Sequence, residues 1–395
     1  MKRAALWVGF LLFLLGAGSR FVENTYGAGG REPPRVVAEE VPSGDRARLR
    51  FVEGIPVVRL QGARREMGRQ YGSIFREQIH YLRREYFHAL PTAVVGQEDM
   101  AAWARAVEPF LPEKFREELR GLAEGCGLSY EDVLSMNAGI DRFQSALCST
   151  LAASGEATEG GEAILGRNLD FPGRGILHKT TVVAIFDPDD GQAVASVTWP
   201  GLLGVLSGMN ERGVVGATMM IHRRRGLLKP GLPYLLLYRD ALERASVAQD
   251  VFDVIRDAPR TLPNNFTVMD ASGTSLVVEF DTERALTRPA EEGCVCSTNF
   301  FHSRELEGVG WTIGTNRYET LAAFVEARRG SIDLEGVKGV LADVATPWFL
   351  NVQSMVFLPA RRAIHLSVGG ALPAARQPFA LLDQATLFGT GTPGG

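Results

Sequence analysis

Cysteine is scarce in this chain. Its 395 residues include four, Cys126, Cys148, Cys294 and Cys296, too few for a disulfide-stapled scaffold. Neither sign of charge is in excess: 42 Lys and Arg against 46 Asp and Glu leave a net −4, which argues against a general nucleic-acid binder. Gly-x-Gly-x-x-Gly and Walker A strings are absent, so no phosphate-cradling loop is signalled. There is no repeat with a period of roughly 20–50 residues. Past the N-terminus, no segment reaches the ~18 consecutive apolar residues of a spanning helix. The pair Cys294-Val295-Cys296 lacks a second pair of ligands, so a metal site is a weak reading. On a strand the two thiols share a face, and they read as packing cysteines or as one bridge to Cys126. No cofactor and no metal are implied.

The N-terminus differs from the rest. "MKRAALWVGFLLFLLGAGSR" places Lys2 and Arg3 before an uncharged apolar run over residues 4–18. That is the length of a signal-peptide core and short for a membrane span. Residues 1–20 are a signal peptide or an uncleaved anchor of the same topology; either places the body outside the cytoplasm, periplasmic or extracellular. Residues 21–48, rich in Gly, Arg, Glu and Pro, read as a tether. Residues 49–147 form a mainly helical segment, and residues 148–395 a strand-rich part.

In the helical segment "FVEGIPVVRLQG" alternates as a strand does. Met67, Tyr71, Phe75, Ile79, Leu82, Tyr86 and Leu90 then recur every three or four residues, the stripe of one long helix. Gly68 and Gly72, four apart on it, permit close approach by another element. Pro112 opens a second helix that Gly125 is expected to stop, and Ser129 caps a third. After Cys148 the chain reads as hairpin strands joined by short turns such as Asn210-Glu211-Arg212-Gly213. Helices interrupt at about 232–257, 316–328 and 333–344. The fold class is α+β: an antiparallel sheet system covered by helices, not a doubly wound parallel sheet.

The chemistry centres on Cys148. A nucleophilic thiol needs a base and an oxyanion stabiliser. The six histidines, His80, His88, His178, His222, His302 and His365, sit in none of the familiar cysteine-protease contexts. Cutting the chain before Cys148 supplies another base, its own α-amino group, whose ordinary pKa of roughly 7.7–8.0 is close to working pH. Asp170 then holds the ammonium form, and Arg167 favours thiolate. On a plain strand Arg167 and Asp170 point to opposite faces, so a turn or bulge at Asn168-Leu169 is expected if both are to reach the cysteine. Asn210 and Asn299 are neutral donors suited to an oxyanion hole. The run from His222 to Arg225 reads as a solvated, charged loop.

The strings "CSTLAA…GGEAILGRNLDF", "GMNERGV", "RGLAEGCGLSYEDVLSMNAG" and "TNRYETL" resemble the cysteine N-terminal-nucleophile hydrolases. The likeness is strongest to the isopenicillin-N acyltransferase (penicillin acyltransferase) family, relatives of choloylglycine hydrolases, N-acylethanolamine-hydrolysing amidases and acid ceramidase. It covers about residues 50 to 370 and is most specific between Cys148 and Asp170. It implies a four-layer αββα sandwich, made as a precursor and self-cut between Leu147 and Cys148 into fragments that stay associated. By this resemblance Cys148 is nucleophile and base, Arg167 and Asp170 orient it, and Asn210 and Asn299 support the oxyanion. Arg317 matches an arginine found near the nucleophile in the choloylglycine group. Leu147 is bulkier than the glycine that the penicillin acyltransferase has before its cysteine.

The function expected is therefore an exported, self-processing amide hydrolase or acyltransferase acting on a small acyl-amide through an acyl-thioester on Cys148. The competing readings are a non-catalytic envelope binding protein that keeps the sandwich, and an uncut Cys–His hydrolase.

Overall fold

The first strand stretch is two strands, not one. β1 (Arg48–Val52) and β2 (Ile55–Gly62) form a hairpin turned at Glu53 and Gly54, both at positive φ (47° and 84°). The computed structural model describes residues 32–36, 46–87, 97–142, 146–223 and 227–389. The expected export signal, most of the tether, His88, Arg224 and Arg225 lie outside them.

The long apolar stripe is real but does not run as one helix. α1 (Arg64–Ile74) breaks at Phe75, whose φ of −111° and ψ of 23° leave the helical region, and α2 (Arg76–Leu82) winds on into a π-turn over Arg83–Phe87. α3 (Gln97–Val107), α4 (Glu113–Cys126) and α5 (Tyr130–Gly139) follow. Ser129 caps α5, its Oγ accepting from the Asp132 amide at 3.1 Å. α1 and α4 pack backbone to backbone. A Cβ on Gly68 would stand 2.0 Å from the Glu118 carbonyl oxygen, and one on Gly121 1.9 Å from that of Arg65. Gly125 is thus a packing glycine inside α4; Gly127, left-handed at φ 73°, ends the helix instead.

Beyond the helices come β3 (Leu147–Gly155), β4 (Gly161–Asp170), β5 (Val182–Pro188), β6 (Val194–Thr198), β7 (Ser207–Asn210) and β8 (Val215–Met220). α6 (Tyr234–Arg244) and α7 (Ala248–Asp257) divide the one predicted helical region in two. Then follow β9 (Asn264–Met269), β10 (Ser275–Phe280), β11 (Ala285–Pro289), β12 (Cys294–Ser297), α8 (Thr315–Arg328), α9 (Leu334–Asp343), β13 (Asn351–Leu358), β14 (Ala363–Val368), β15 (Ala380–Leu382) and α10 (Gln384–Leu387).

The strands make two sheets. One has the order β1-β2-β5-β6-β7-β8-β9-β10-β11, the other β12-β3-β4-β13-β14-β15. Pairing is antiparallel except between β2 and β5, which run parallel. α6 and α7 cover the first sheet and α8 and α9 the second, while β3 faces β8 and β9 between them. This is the expected α+β, four-layer αββα sandwich. Thr150 of β3 and Thr267 of β9 meet across the middle, Oγ1 to Oγ1 at 2.8 Å.

The segment before Cys148 is not a separate body. It gives β1 and β2 to the larger sheet and its apolar side chains to the same core. A buried ion network also ties it to α6. Arg64 of α1 meets Glu118 of α4 at 2.9 Å and Glu243 of α6 at 2.8 Å. Arg239 of α6 bonds Glu118 and Glu243 and lies 3.8 Å over the Phe186 ring, and Lys114 reaches Glu243 at 2.8 Å. These cations hold the Glu243 carboxyl at about 2, below its ordinary range despite its burial.

Candidate active site

Cys148 is the second residue of β3, fully buried, and pairs in register with Leu169 of β4. Cross-strand partners share a face, so residues 148, 150, 167 and 169 point into the space between the sheets, and residues 147, 149, 168 and 170 point out toward α8 and α9. Side-chain contacts agree: Arg167 Nε donates to Ser207 Oγ of the opposite sheet at 3.0 Å, whereas Asn168 Nδ2 donates to the Leu341 carbonyl of α9 at 2.7 Å. The expected turn or bulge at Asn168-Leu169 does not occur. β4 runs unbroken through Asp170, and the irregularity lies on its neighbour β13, between Asn351 and Gln353. Arg167 and Asp170 keep opposite faces and approach Cys148 from its two sides: Arg167 on the thiol's face, Asp170 beside the backbone at the strand's end.

That backbone is held by side chains at the strand's edge and on its outer side. The Cys148 amide donates to Asn299 Oδ1 at 2.8 Å. Arg317 Nη1 donates to the Cys148 carbonyl at 2.7 Å and to Ser149 Oγ at 2.8 Å, and its Nη2 donates to Asn299 Oδ1 at 2.7 Å. Arginine only donates, which fixes the Asn299 oxygen toward it and the Asn299 nitrogen away. That nitrogen donates to the Met220 carbonyl at 2.7 Å and, more weakly, to the Ala146 carbonyl at 3.4 Å.

Asp170 is fully buried. Its Oδ1 accepts from Asn351 Nδ2 at 2.7 Å, and its Oδ2 lies 3.7 Å from Arg317 with no hydrogen-bond partner. Burial raises its pKa, and Arg317, Asn351, Thr346 and Arg167 pull the other way. A second orphan faces the sandwich interior, Nη2 of the equally buried Arg167.

Arg317 sits in the first turn of α8, where the helix dipole disfavours a cation. It folds back over Gly314, whose φ is 85° and at which a Cβ would lie 2.4 Å from Nη2. Only glycine admits both that conformation and that approach.

Asn210 is the correction. It ends β7, and its side chain turns to the outer face of the larger sheet. Nδ2 donates to the carbonyls of Leu242 at 2.9 Å and Ala245 at 2.8 Å, while Oδ1 accepts from the amides of Arg212 at 3.0 Å and Val214 at 2.8 Å. Every polar atom is spent on ordering the turn and docking α6, so Asn210 offers no donor to an oxyanion at Cys148. The residues that reasoning from sequence missed are Ser149, Ser207 and Asn351, single polar side chains in strands whose role depends on which strand lies opposite.

Of the described histidines, His222 comes near: Nε2 contacts the Ala146 carbonyl at 2.9 Å, and burial lowers its pKa. Its ring is engaged two residues before the thiol. All four cysteines are free, so no bridge joins Cys126 to Cys294 or Cys296. Cys294 and Cys296 share the outward face of β12 among apolar side chains, and burial pushes Cys296 up to about 12.

A cleft of about 350 Å³ opens beside Leu147, between the start of α8 and the end of α9, lined by Leu147, Asn316, Arg317, Thr320, Asp343 and Thr346 among others.

Comparison with known proteins bears on this site. An uncharacterized protein of Archaeoglobus fulgidus is 23% identical over 341 residues, covering 72% of this chain and 57% of its own length. The N-acylethanolamine-hydrolyzing acid amidase of Mus musculus is 32% identical over 104 residues, 26% of this chain and 27% of the amidase. The chain thus spans less than two thirds of the curated relatives it matches. Among solved structures, the Caenorhabditis elegans ortholog of that amidase is similar with a TM-score of 0.42 and 19% identity, over 54% of this chain and 93% of the other. Residues 157–333, which hold Arg167, Asp170, Asn299 and Arg317, match the acyl-coenzyme A:6-aminopenicillanic acid acyl-transferase family.

Proposed function

We propose that the protein is a self-processing cysteine amidase or acyltransferase with Cys148 as its N-terminal nucleophile. The observation that carries this reading is how Cys148 is held. Asn299 and Arg317 grip its amide and carbonyl, the backbone atoms that would flank a new N-terminus, and leave its thiol on the face of Arg167. A packing cysteine has no use for a buried arginine on its carbonyl.

In processing, the Cys148 thiolate attacks the Leu147 carbonyl carbon and the C–N bond breaks. The nitrogen takes up a proton and becomes the α-amine, and water hydrolyses the thioester to a Leu147 carboxylate and a free thiol. Asp170 Oδ2 is the acceptor for the resulting ammonium. Separation of residues 146 and 147 from the strand releases Asn299 Nδ2 from the Ala146 carbonyl, freeing a donor for an oxyanion.

In turnover, the α-amine takes the thiol proton, and the thiolate forms a thioester with the acyl carbon of the substrate. The ammonium returns the proton to the departing amine, and water or an acceptor amine then releases the acyl group. The relatives named as amidases and the acyl-transferase family match support amide chemistry of this kind. The buried ion network keeps the two fragments together.

The test is a denaturing gel of the wild-type chain and Cys148→Ala, with N-terminal sequencing. The wild type gives a fragment beginning at Cys148 and the variant stays whole. A single full-length band for both refutes self-processing. Export is proposed on the N-terminal apolar run alone, and fractionation of cells making the full chain tests it.

A further inference from the structure

Proton return fixes where the amine half of a substrate must lie. The leaving nitrogen takes its proton from the Cys148 α-ammonium, so it must come within about 2.6–3.2 Å of that group. The thiol points between the sheets; the Leu147 side chain, one residue earlier, points outward. The cleft on that outward side is lined by Leu147, whose carbonyl carbon bears the Cys148 nitrogen, and by Arg317, which holds the Cys148 carbonyl.

Its lining has a definite character. Thr346 is 9% exposed, and its hydroxyl is buried at the cleft wall without a hydrogen-bond partner, close enough to Asp170 to favour the ionised carboxylate. Asp343 presents an exposed carboxylate, and Asn316 and Thr320 add exposed polar groups. Arg317 is the cation of the lining, and it is spent on the Cys148 carbonyl, Ser149 and Asn299. An incoming hydroxyl or amino group finds acceptors here, whereas an incoming carboxylate finds Asp343 and no free cation.

We propose that this cleft is the subsite for the leaving amine, and that it selects a compact amine bearing a hydrogen-bond donor over one bearing a carboxylate. The proposal rests on the reading of Cys148 given above.

A panel of p-nitrophenyl esters, which lack an amine half, first identifies the best acyl chain for the processed wild-type enzyme. That acyl group is then presented as amides of aminopropanol, butylamine and aminopropanoate, which are similar in size. The aminopropanol amide is expected to be cleaved with a kcat/KM about tenfold above that of the butylamine amide, the worth of one hydrogen bond, with the aminopropanoate amide slowest. Thr346→Val should erase the preference for aminopropanol, and Asp343→Asn should raise the aminopropanoate amide relative to the butylamine amide. Equal kcat/KM for the three amides, or preferences unchanged in both variants, overturn the subsite while ester turnover leaves the Cys148 reading standing. No ester turnover and no thioester on Cys148 by mass spectrometry overturn both.

Discussion

The amide of Cys148 donates to Oδ1 of Asn299 at 2.8 Å, joining residues 151 positions apart in the chain. Asn299 also bonds Arg317 and the Met220 carbonyl, so one side chain connects β3, the end of β8 and α8. Asn299→Ala should lower kcat by about 10²–10³-fold, the cost of one oxyanion donor, and slow self-cleavage. A time course of fragment formation and steady-state kinetics on the processed remainder check this. Wild-type rates in both assays would remove Asn299 from the site.

Asn210 should behave in the opposite way. Its four bonds to backbone groups hold a turn and the end of α6. Asn210→Ala leaves buried amides and carbonyls unmet and should cost about 1–3 kcal/mol of stability, with kcat per folded molecule close to wild type. Urea titration and active-site counting with a thiol electrophile separate the two effects.

The network around Arg239 makes a prediction about the cut protein. Arg239→Met leaves Glu118 and Glu243 buried without that cation, a change of about 3–5 kcal/mol. The fragments should then separate on size exclusion where those of the wild type co-elute. Glu243 has its pKa depressed to about 2 from an ordinary 4.5. Its contribution is full above pH 4.5 and is lost as the pH falls toward 2, so wild-type fragments should stay joined through mildly acid conditions.

Asp141 gives a pH dependence of opposite sign. It is fully buried, its Oδ2 has no partner, and burial raises its pKa to about 7. The folded chain holds a proton that the unfolded chain has released, so stability should fall as pH rises from about 4 to 7. Asp141→Asn should flatten that part of the profile, as measured by thermal unfolding across the range. An unchanged slope would assign it to other groups.

Gly121 faces α1 at a distance that leaves no room for a methyl group. Gly121→Ala should push the two helices apart and lower stability by about 3 kcal/mol, read as a shift in the urea midpoint. Gly54→Ala, in a turn with open space around it, tests backbone strain alone and should cost less.

Most of the fold was legible wherever a local pattern sufficed. The hairpins on either side of Asn210 and Gly273, the Ser129 cap and the close approach at Gly68 and Gly72 all follow from residue type and spacing. The misreadings came where a neighbour decides. Gly125 has the sequence look of a helix stop, but packing on α1 uses it within the helix. The break at Phe75 has no local signal. β12 is four residues long and takes its place in the sheet by pairing with β3, so its sequence carries little of the reason it forms.

The sequence by itself determined that Cys148 stands at the head of a strand, that Arg167 and Asp170 follow on the next, and that alternation puts those two on opposite faces. Tertiary structure decided what the opposition means. A strand end can be approached from both faces and along its edge, so Arg167 meets the thiol's side while Asp170, Asn299 and Arg317 meet the backbone. It also decided between two asparagines that look alike in turn-rich stretches. Hydrogen-bond capacity is finite; the fold spends that of Asn210 on its own turn and brings that of Asn299 to Cys148.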